Sequence, residues 1–184
     1  VVHILYESDE NGGTDTVIDV RTNTRVATIP LGGEVGNTQY DPASKHIFAN
    51  VQTRKQLVEI DPATDKVISR MDLPGAEGNH GLYIDPAMHL AFIACEDNNK
   101  LIVVDLTNRR LVSTFDVAKD PDVLAFDRGL GWLYVAGESG EVSIFHVQGQ
   151  SVRPLASGVL GPNAHVVAVD EATHRAYFPL KSLV

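Results

Sequence analysis

The sequence predicts an all-β protein made of repeated antiparallel units, and three observations lead to that prediction. Runs of Val, Ile, Leu and aromatic residues are short and are separated by Asp, Asn, Gly and Pro, which is typical of strands joined by turns. No stretch keeps a 3.6-residue apolar period over three turns, so essentially no helix is expected. The same order of runs recurs about every 43 residues along the chain.

Three sets of matching positions define the repeat. In the first set an aspartate ends an apolar run, and the gaps are 42, 44 and 41 residues: Asp19, Asp61 and Asp105, with His146 in the fourth place. The second set has gaps of 44, 42 and 43 residues: Asp41, Asp85, Asp127 and Asp170. The third set lies in the strands that follow: Leu5, Phe48, Phe92, Tyr134 and Tyr177. Each aspartate is expected to close an Asx turn, because its carboxylate can accept a hydrogen bond from the backbone N–H two residues on.

Four strands per unit of about 43 residues is the sequence signature of a β-propeller blade. With strands lettered A to D from the axis outward, the chain supplies B, C and D, then three full blades, then A and B, about 17 strands in all. We expect a single domain over 1–184 with about four blades, divided at 1–33 (partial), 34–75, 76–119, 120–160 and 161–184 (partial). Such a set could close a small ring, but we favour part of a longer chain with more blades.

The composition restricts the class of partner. Hydrophobic residues make up 43% of the 184 residues, enough for a buried core, and no apolar run is long enough for a membrane-spanning helix. The net charge of −9 repels phosphate backbones and the 15 Lys and Arg residues are scattered, so nucleic acid is not expected as a partner. Cys95 is the single cysteine and is expected to be a small buried side chain.

The repeat resembles that of the YVTN-type β-propeller proteins, a bacterial and archaeal family of secreted or surface proteins. The run TVIDVRTNTRVATIPLGG from Thr16 is similar to the family's unit at nearly every residue, and HIFANV and WLYVAG resemble its opening strand. The resemblance covers the whole chain, although the fourth repeat, FHVQGQSVRPLASG, departs from the pattern. It implies a seven-bladed propeller, with HRAYFPLKSLV similar to a last blade, and a periplasmic or extracellular location.

Equivalent positions in successive repeats form one rank of candidate site residues. Five residues before the second set of aspartates stand, in chain order, Gly36, His80, Asp122 and His165. Because the inner strands of a propeller begin at the mouth of the central channel, the last three are predicted to share a ligand-binding site there. Polar neighbours are added to this site: Glu34, Asn79 and Asn163, with Glu77 and Asp120 nearby. The glycines that flank His80, Gly78 and Gly81, are expected to let the backbone bend tightly.

Two kinds of chemistry suit this rank. Imidazole with carboxylate is a ligand set for zinc, iron and similar ions, so His80, Asp122 and His165 are candidate ligands of a divalent metal, the one cofactor considered. Without metal they could act as general acid, base and orienting group. Each also has a structural interpretation, as a histidine bonded to a neighbouring backbone or as a turn-forming aspartate. The remaining histidines fall at strand edges or turns and are expected to be solvated: His3, His46, His89, His146 and His174.

Three function hypotheses follow from the sequence. The first is a secreted or periplasmic binding or scaffold protein that takes a small molecule or a protein partner at the channel face, without catalysis, since no motif such as G-x-S-x-G occurs. The second is a metal-dependent hydrolase of lactonase type with the His/Asp/His site at the channel mouth. The third is single-stranded nucleic-acid binding, which the resemblance to the YVTN-type family suggests and which the negative charge places last. No catalytic residue is assigned.

Overall fold

Each short apolar run of the sequence forms a strand, and successive strands pair in antiparallel register. The computed structural model describes residues 4–182, so His3 and the outermost ends of the first and last predicted blades lie outside the described residues. Within that range the only helix is a 3-10 turn at Gln52–Arg54. No helix of the described residues is long and apolar enough to cross a membrane.

Five sheets follow one another in chain order. The first sheet contains β1 (Ile4–Asp9), β2 (Thr14–Asp19) and β3 (Thr24–Pro30). The second contains β4 (Val35–Asp41), β5 (His46–Val51), β6 (Gln56–Asp61) and β7 (Lys66–Asp72). The third contains β8 (Asn79–Asp85), β9 (Leu90–Cys95), β10 (Lys100–Asp105) and β11 (Arg110–Asp116). The fourth contains β12 (Pro121–Asp127), β13 (Trp132–Gly137), β14 (Glu141–Gln148) and β15 (Ser151–Val159), and the fifth contains β16 (Ala168–Asp170) and β17 (Arg175–Tyr177).

The inner strands, β4, β8, β12 and β16, bring neighbouring sheets together. Each inner strand contacts the next one along the chain, so that the sheets stack side by side around a common inner edge. This is the arrangement of blades in a β-propeller, and it confirms the predicted all-β class with four-stranded antiparallel blades. The blade boundaries and the total number of blades stay predictions.

The place of a strand within its sheet decides how much of it is buried. Strand β9 is buried at every residue, because both of its faces pack against neighbouring sheets. The outer strand β7 instead alternates exposed and partly buried residues. Between the third and fourth sheets the apolar core includes Phe92, Phe126 and Phe145, with 6.4 Å between the ring centroids of Phe92 and Phe126.

The repeated aspartates close the turns, as the sequence predicts. A backbone N–H two residues on donates to the carboxylate at 2.9–3.0 Å in Asp19, Asp41, Asp61, Asp85 and Asp170. In Asp105 and Asp127 the donor lies three residues on, at 3.0 Å. These two carboxylates are buried, and the side chain and backbone N–H of Asn108 hold the pKa of Asp105 below its usual range. The turns therefore satisfy buried carboxylates locally.

Two glycines permit the close approach of the inner strands. A Cβ atom on Gly36 of β4 would lie 2.6 Å from the carbonyl oxygen of His80 in β8. A Cβ atom on Gly81 of β8 would lie 1.9 Å from the carbonyl oxygen of Asp122 in β12. Gly81 lies inside β8, where the pairing register with β9 shifts between Asn79 and Leu82, and it also leaves room for the next strand. Gly78, with φ of 60°, does occupy a turn that favours glycine.

The Gly81 contact generates a stability prediction. We expect Gly81→Ala to lower the free energy of unfolding by about 1–3 kcal/mol, because the added methyl group forces β8 and β12 apart. Gly158→Ala on β15 is the matched control, since no atom lies within 4 Å of a Cβ at that position. It should change stability by no more than about 1 kcal/mol. Chemical denaturation followed by circular dichroism measures both, and equal stability of the two variants would contradict the packing argument.

Candidate functional site

The predicted rank of polar residues meets at the inner edge of the sheets. His80 lies near the start of β8, Asp122 near the start of β12, and His165 just before β16. His80 Nε2 is 3.7 Å from Asp122 Oδ1, and His165 Nε2 is 3.9 Å from Asp122 Oδ2. The structure therefore places the Asp122 carboxylate between two imidazoles that come from the third sheet and from the segment ahead of the fifth.

A second rank of polar residues, which the sequence analysis missed, lies beside the first. The B strands of the blades are β1, β5, β9 and β13. The second rank consists of the residue that directly follows each of them: Glu10, Gln52, Glu96 and Glu138. His80 Nδ1 is 3.4 Å from Glu96 Oε1, 3.4 Å from Gln52 Nε2 and 3.9 Å from Glu10 Oε1. The repeat offered the signal, because a Glu, Gln, Glu, Glu series stands at equivalent positions.

The geometry of antiparallel sheets explains why the two ranks meet. Because the A and B strands of a blade are antiparallel neighbours, the A strand begins at the same end of the sheet at which the B strand ends. The backbone N–H of Glu96 donates to Gly78 O at 2.9 Å, and that of Glu138 donates to Asp120 O at 2.8 Å. His80 and Asp122, with the four residues around them, are called the inner-strand cluster: Glu10, Gln52, His80, Glu96, Asp122 and His165.

The other predicted site residues lie around this cluster in different roles. Asn79 is fully buried, and its Nδ2 donates to Gln56 O at 3.1 Å, so it ties the third sheet to the second and does not line the rim as predicted. Glu34 is exposed, and it contacts Gln52 through its backbone carbonyl at 2.8 Å. The side-chain amide of Asn163 contacts His165 Nδ1 and so orients that ring.

Two of the histidines expected to be solvated are paired with carboxylates. His174 Nδ1 lies 2.9 Å from Oδ2 of the buried Asp127, and His46 Nδ1 lies 2.7 Å from Glu59 Oε1. The first pair joins residues 47 apart in sequence, and the second joins the adjacent strands β5 and β6; the strand-edge position of each histidine did not reveal either partner. Cys95 is buried as predicted, and burial raises the pKa of its thiol to about 12, so it is not a nucleophile at neutral pH.

The inner-strand cluster, with Glu138 beside it, gathers carboxylates that have no Lys or Arg partner among the described residues. Within residues 4–182, no Lys or Arg forms an ion pair with the carboxylates of Glu10, Glu96, Asp122 or Glu138. Burial raises the pKa of both Glu96 and Asp122; His80 opposes these shifts, and Glu10 and Glu138 add to them. Beside the cluster an open cavity of about 370 Å³ is lined by four acidic side chains, Asn99 and Lys119, and Lys119 pairs with Asp120 at 3.3 Å.

Part of the cluster has the geometry of a metal site. One ligand atom from each of His80, Glu96 and Asp122 lies within 4.8 Å of the other two. All three side chains are partly buried. His165 faces the other oxygen of Asp122, Oδ2, and is not part of this group of three. The arrangement can bind a cation, and it can also move a proton between imidazole and carboxylate.

Solved structures place the chain among known propellers. The chain aligns over 98% of its length with 61% of a putative 6-phosphogluconolactonase of Bacteroides uniformis, at a TM-score of 0.84 and 14% identity. A putative 6-phosphogluconolactonase of Bacteroides fragilis aligns at 0.83 and 11% identity, over 97% of this chain and 61% of that one. Hydrazine synthase of Kuenenia stuttgartiensis aligns at 0.79 and 16% identity, over 91% of this chain and 49% of that one.

These similarities establish a β-propeller fold, and at such identities they establish the fold alone. The chain spans between about half and three fifths of the length of these proteins. No family model and no curated protein matches the sequence. What the protein does must therefore be argued from its own site.

The raised pKa of Glu96 generates a prediction about stability and pH. An acid whose pKa is higher in the folded protein than in the unfolded chain loses stabilising free energy as the pH rises through that pKa. We therefore expect Glu96→Gln to raise the melting temperature of the metal-free protein by a few degrees at about pH 7. The difference should vanish near about pH 3, where the carboxyl is protonated in both states.

Glu7→Gln, at an exposed position of β1 outside the cluster, is the matched control and should leave the melting temperature unchanged at both pH values. Thermal unfolding followed by circular dichroism measures all three proteins. A lower melting temperature for Glu96→Gln at neutral pH would show that the carboxylate is stabilising in the folded state.

Proposed function

We propose that this propeller is a binding protein that takes a cationic or an uncharged, hydroxyl-rich small ligand at the inner-strand cluster. The observation that carries the proposal is the convergence of Glu10, Glu96 and Asp122 on His80, with no Lys or Arg paired to these carboxylates among the described residues. A positive group placed there would offset mutual repulsion of the carboxylates, and hydroxyl groups would find several acceptors. Half-burial of these side chains strengthens both effects, because solvent screens them less.

The same charge disfavours anionic ligands. Phosphate groups would meet Glu10, Glu96, Asp122 and Glu138, and they would be repelled over the range of a Debye length, about 8 Å at physiological ionic strength. A nucleic-acid strand or a phosphorylated sugar is therefore a poor partner for this surface. A small molecule is favoured over a protein, because the cluster is a narrow group of partly buried side chains.

The family and cellular location belong to this proposal as well. Membership of the YVTN-type family is supported by the repeat itself, above all by TVIDVRTNTRVATIPLGG, and it would imply a periplasmic or extracellular binding protein. A larger, seven-bladed ring is supported by the length of the aligned propellers, of which this chain spans 49–61%. In such a ring the inner-strand cluster would lie at the channel mouth.

Magnetic resonance of the histidine rings tests the charge preference. Spermidine, glucose and 6-phosphogluconate would be titrated while the ring C–H signals of His80 and His165 are followed, with His46 and His174 as internal controls. We expect saturable shifts of His80 and His165 with spermidine or glucose and none with 6-phosphogluconate at equal concentration. Saturation by 6-phosphogluconate, or the failure of both other probes to move these signals, would contradict the proposal.

Hydrolysis of a lactone or ester is the second candidate function. It is favoured by the placement of Asp122 between His80 and His165, at 3.7 and 3.9 Å, which suits proton transfer to and from water. Two of the aligned propellers are putative 6-phosphogluconolactonases. In this reaction a water oxygen adds to the lactone carbonyl, the ring C–O bond breaks, and a proton from that water reaches the alcohol oxygen.

A lactonase assay tests this second function with a charge-matched pair of substrates. Acid release from glucono-δ-lactone and from 6-phosphogluconolactone would be measured after subtraction of spontaneous hydrolysis. We expect faster turnover of the uncharged lactone, and a loss of about 100-fold or more in kcat for Asp122→Asn, the range typical of acid–base groups. Glu7→Gln should retain full activity. If the parent protein hydrolyses neither lactone faster than the spontaneous rate, lactonase activity on these two substrates is excluded.

A further inference from the structure

The cation-binding part of the cluster has a defined ligand set. His80 comes from β8, Glu96 from the turn after β9 and Asp122 from β12, so the three side chains are held by two neighbouring sheets. Each offers a nitrogen or oxygen atom, and the three atoms lie within 4.8 Å of one another. None of the three is paired with a Lys or Arg among the described residues, so each is available to a ligand.

The distances are close to those that a bound ion requires. Ligands held at about 2.1 Å from a tetrahedral zinc ion lie about 3.4 Å from one another. The imidazole of His80 lies 3.4 Å from Glu96 Oε1 and 3.7 Å from Asp122 Oδ1 through its two nitrogens. Because one ion can take only one of these two nitrogens, the His80 or Glu96 side chain would have to turn on binding, closing the three ligand atoms from within 4.8 Å of one another to about 3.4 Å.

We propose that His80, Glu96 and Asp122 bind one divalent transition-metal ion of the zinc class. An imidazole ligand suits such ions, whereas Ca²⁺ takes six to eight oxygen ligands and Mg²⁺ keeps most of its waters. Three protein ligands leave a fourth position open for water or for an oxygen of the bound molecule. The inference deepens the proposed function and uses the same site, since the ion would be the cation that the carboxylates attract.

This ligand set differs from the one that the sequence suggested. Glu96 takes the place of His165, whose Nε2 lies beside the outer oxygen of Asp122 at 3.9 Å. His165 is therefore assigned a positioning role: its Nε2 faces the Asp122 carboxylate beyond direct hydrogen-bond distance, and its ring contacts the side chain of Asn163. Glu138 acts on the site through its charge.

Zinc binding by single variants tests the assignment. Zn²⁺ affinity and stoichiometry would be measured by competition with a chromophoric chelator, on the parent and on His80→Gln, Glu96→Gln and Asp122→Asn. We expect one ion per chain and a loss of at least about 100-fold in affinity for each of the three variants. His165→Asn should lose about 10-fold with an unchanged melting temperature, the size typical of an orienting partner. His174→Gln, which removes a histidine–carboxylate pair elsewhere, should bind zinc as the parent does.

Several results would overturn the inference. Full zinc affinity in Glu96→Gln, or a larger loss in His165→Asn than in Glu96→Gln, would refute this ligand set. Equal affinity for Ca²⁺ and Zn²⁺ would refute the metal class. A variant that does not fold is recognised by its circular dichroism, and the remaining two ligand variants then decide. If spermidine or glucose moves the magnetic resonance signal of His80 but zinc does not bind, the metal site is refuted and the proposed function stands. If zinc binds but neither compound moves that signal, the proposed function is refuted and the metal site stands.

Discussion

The contact on which the rest of the site depends is the approach of one inner strand to the next. Gly36 and Gly81 lack a side chain where the backbone of the neighbouring strand passes, and a methyl group on Gly81 would overlap the carbonyl oxygen of Asp122. Because β8 and β12 can come this close, side chains from different sheets reach one another near their starts. A wider spacing of the sheets would separate the imidazole of His80 from the carboxylate of Asp122.

The carboxylates at the two ends of the strands have different kinds of partner. At the end of the strands where the turn aspartates lie, cross-sheet partners reach two of them: Arg128 lies 3.4 Å from Asp85, and His174 lies 2.9 Å from Asp127. At the end where the inner-strand cluster lies, the carboxylates of Glu10, Glu96 and Asp122 have imidazole and amide partners among the described residues, whereas the nearby Glu77 and Asp120 pair with Lys55 and Lys119. Carboxylates gathered without basic partners reduce folding stability, and such an arrangement is typical of a binding site.

The similarity to other propellers separates fold from function. This chain superposes on proteins as different as hydrazine synthase and putative 6-phosphogluconolactonases at 16% identity or less. A framework shared at that level supports many kinds of chemistry, because function depends on the few side chains at the strand ends. In this protein the side chains that meet at those strand ends include acidic and imidazole groups.

The sequence by itself determined the secondary structure, the repeat and the first rank of the site. Alternating apolar runs and turn aspartates are local patterns, so the strands, the Asx turns and the equivalence of His80, Asp122 and His165 could be predicted without a structure. Only the tertiary structure decided that Glu96 stands beside His80, that Asn79 is buried and that His174 pairs with Asp127. A repeat period fixes the position of a residue along its own strand. The distance between side chains of different strands depends on how closely the sheets pack, which no single repeat encodes.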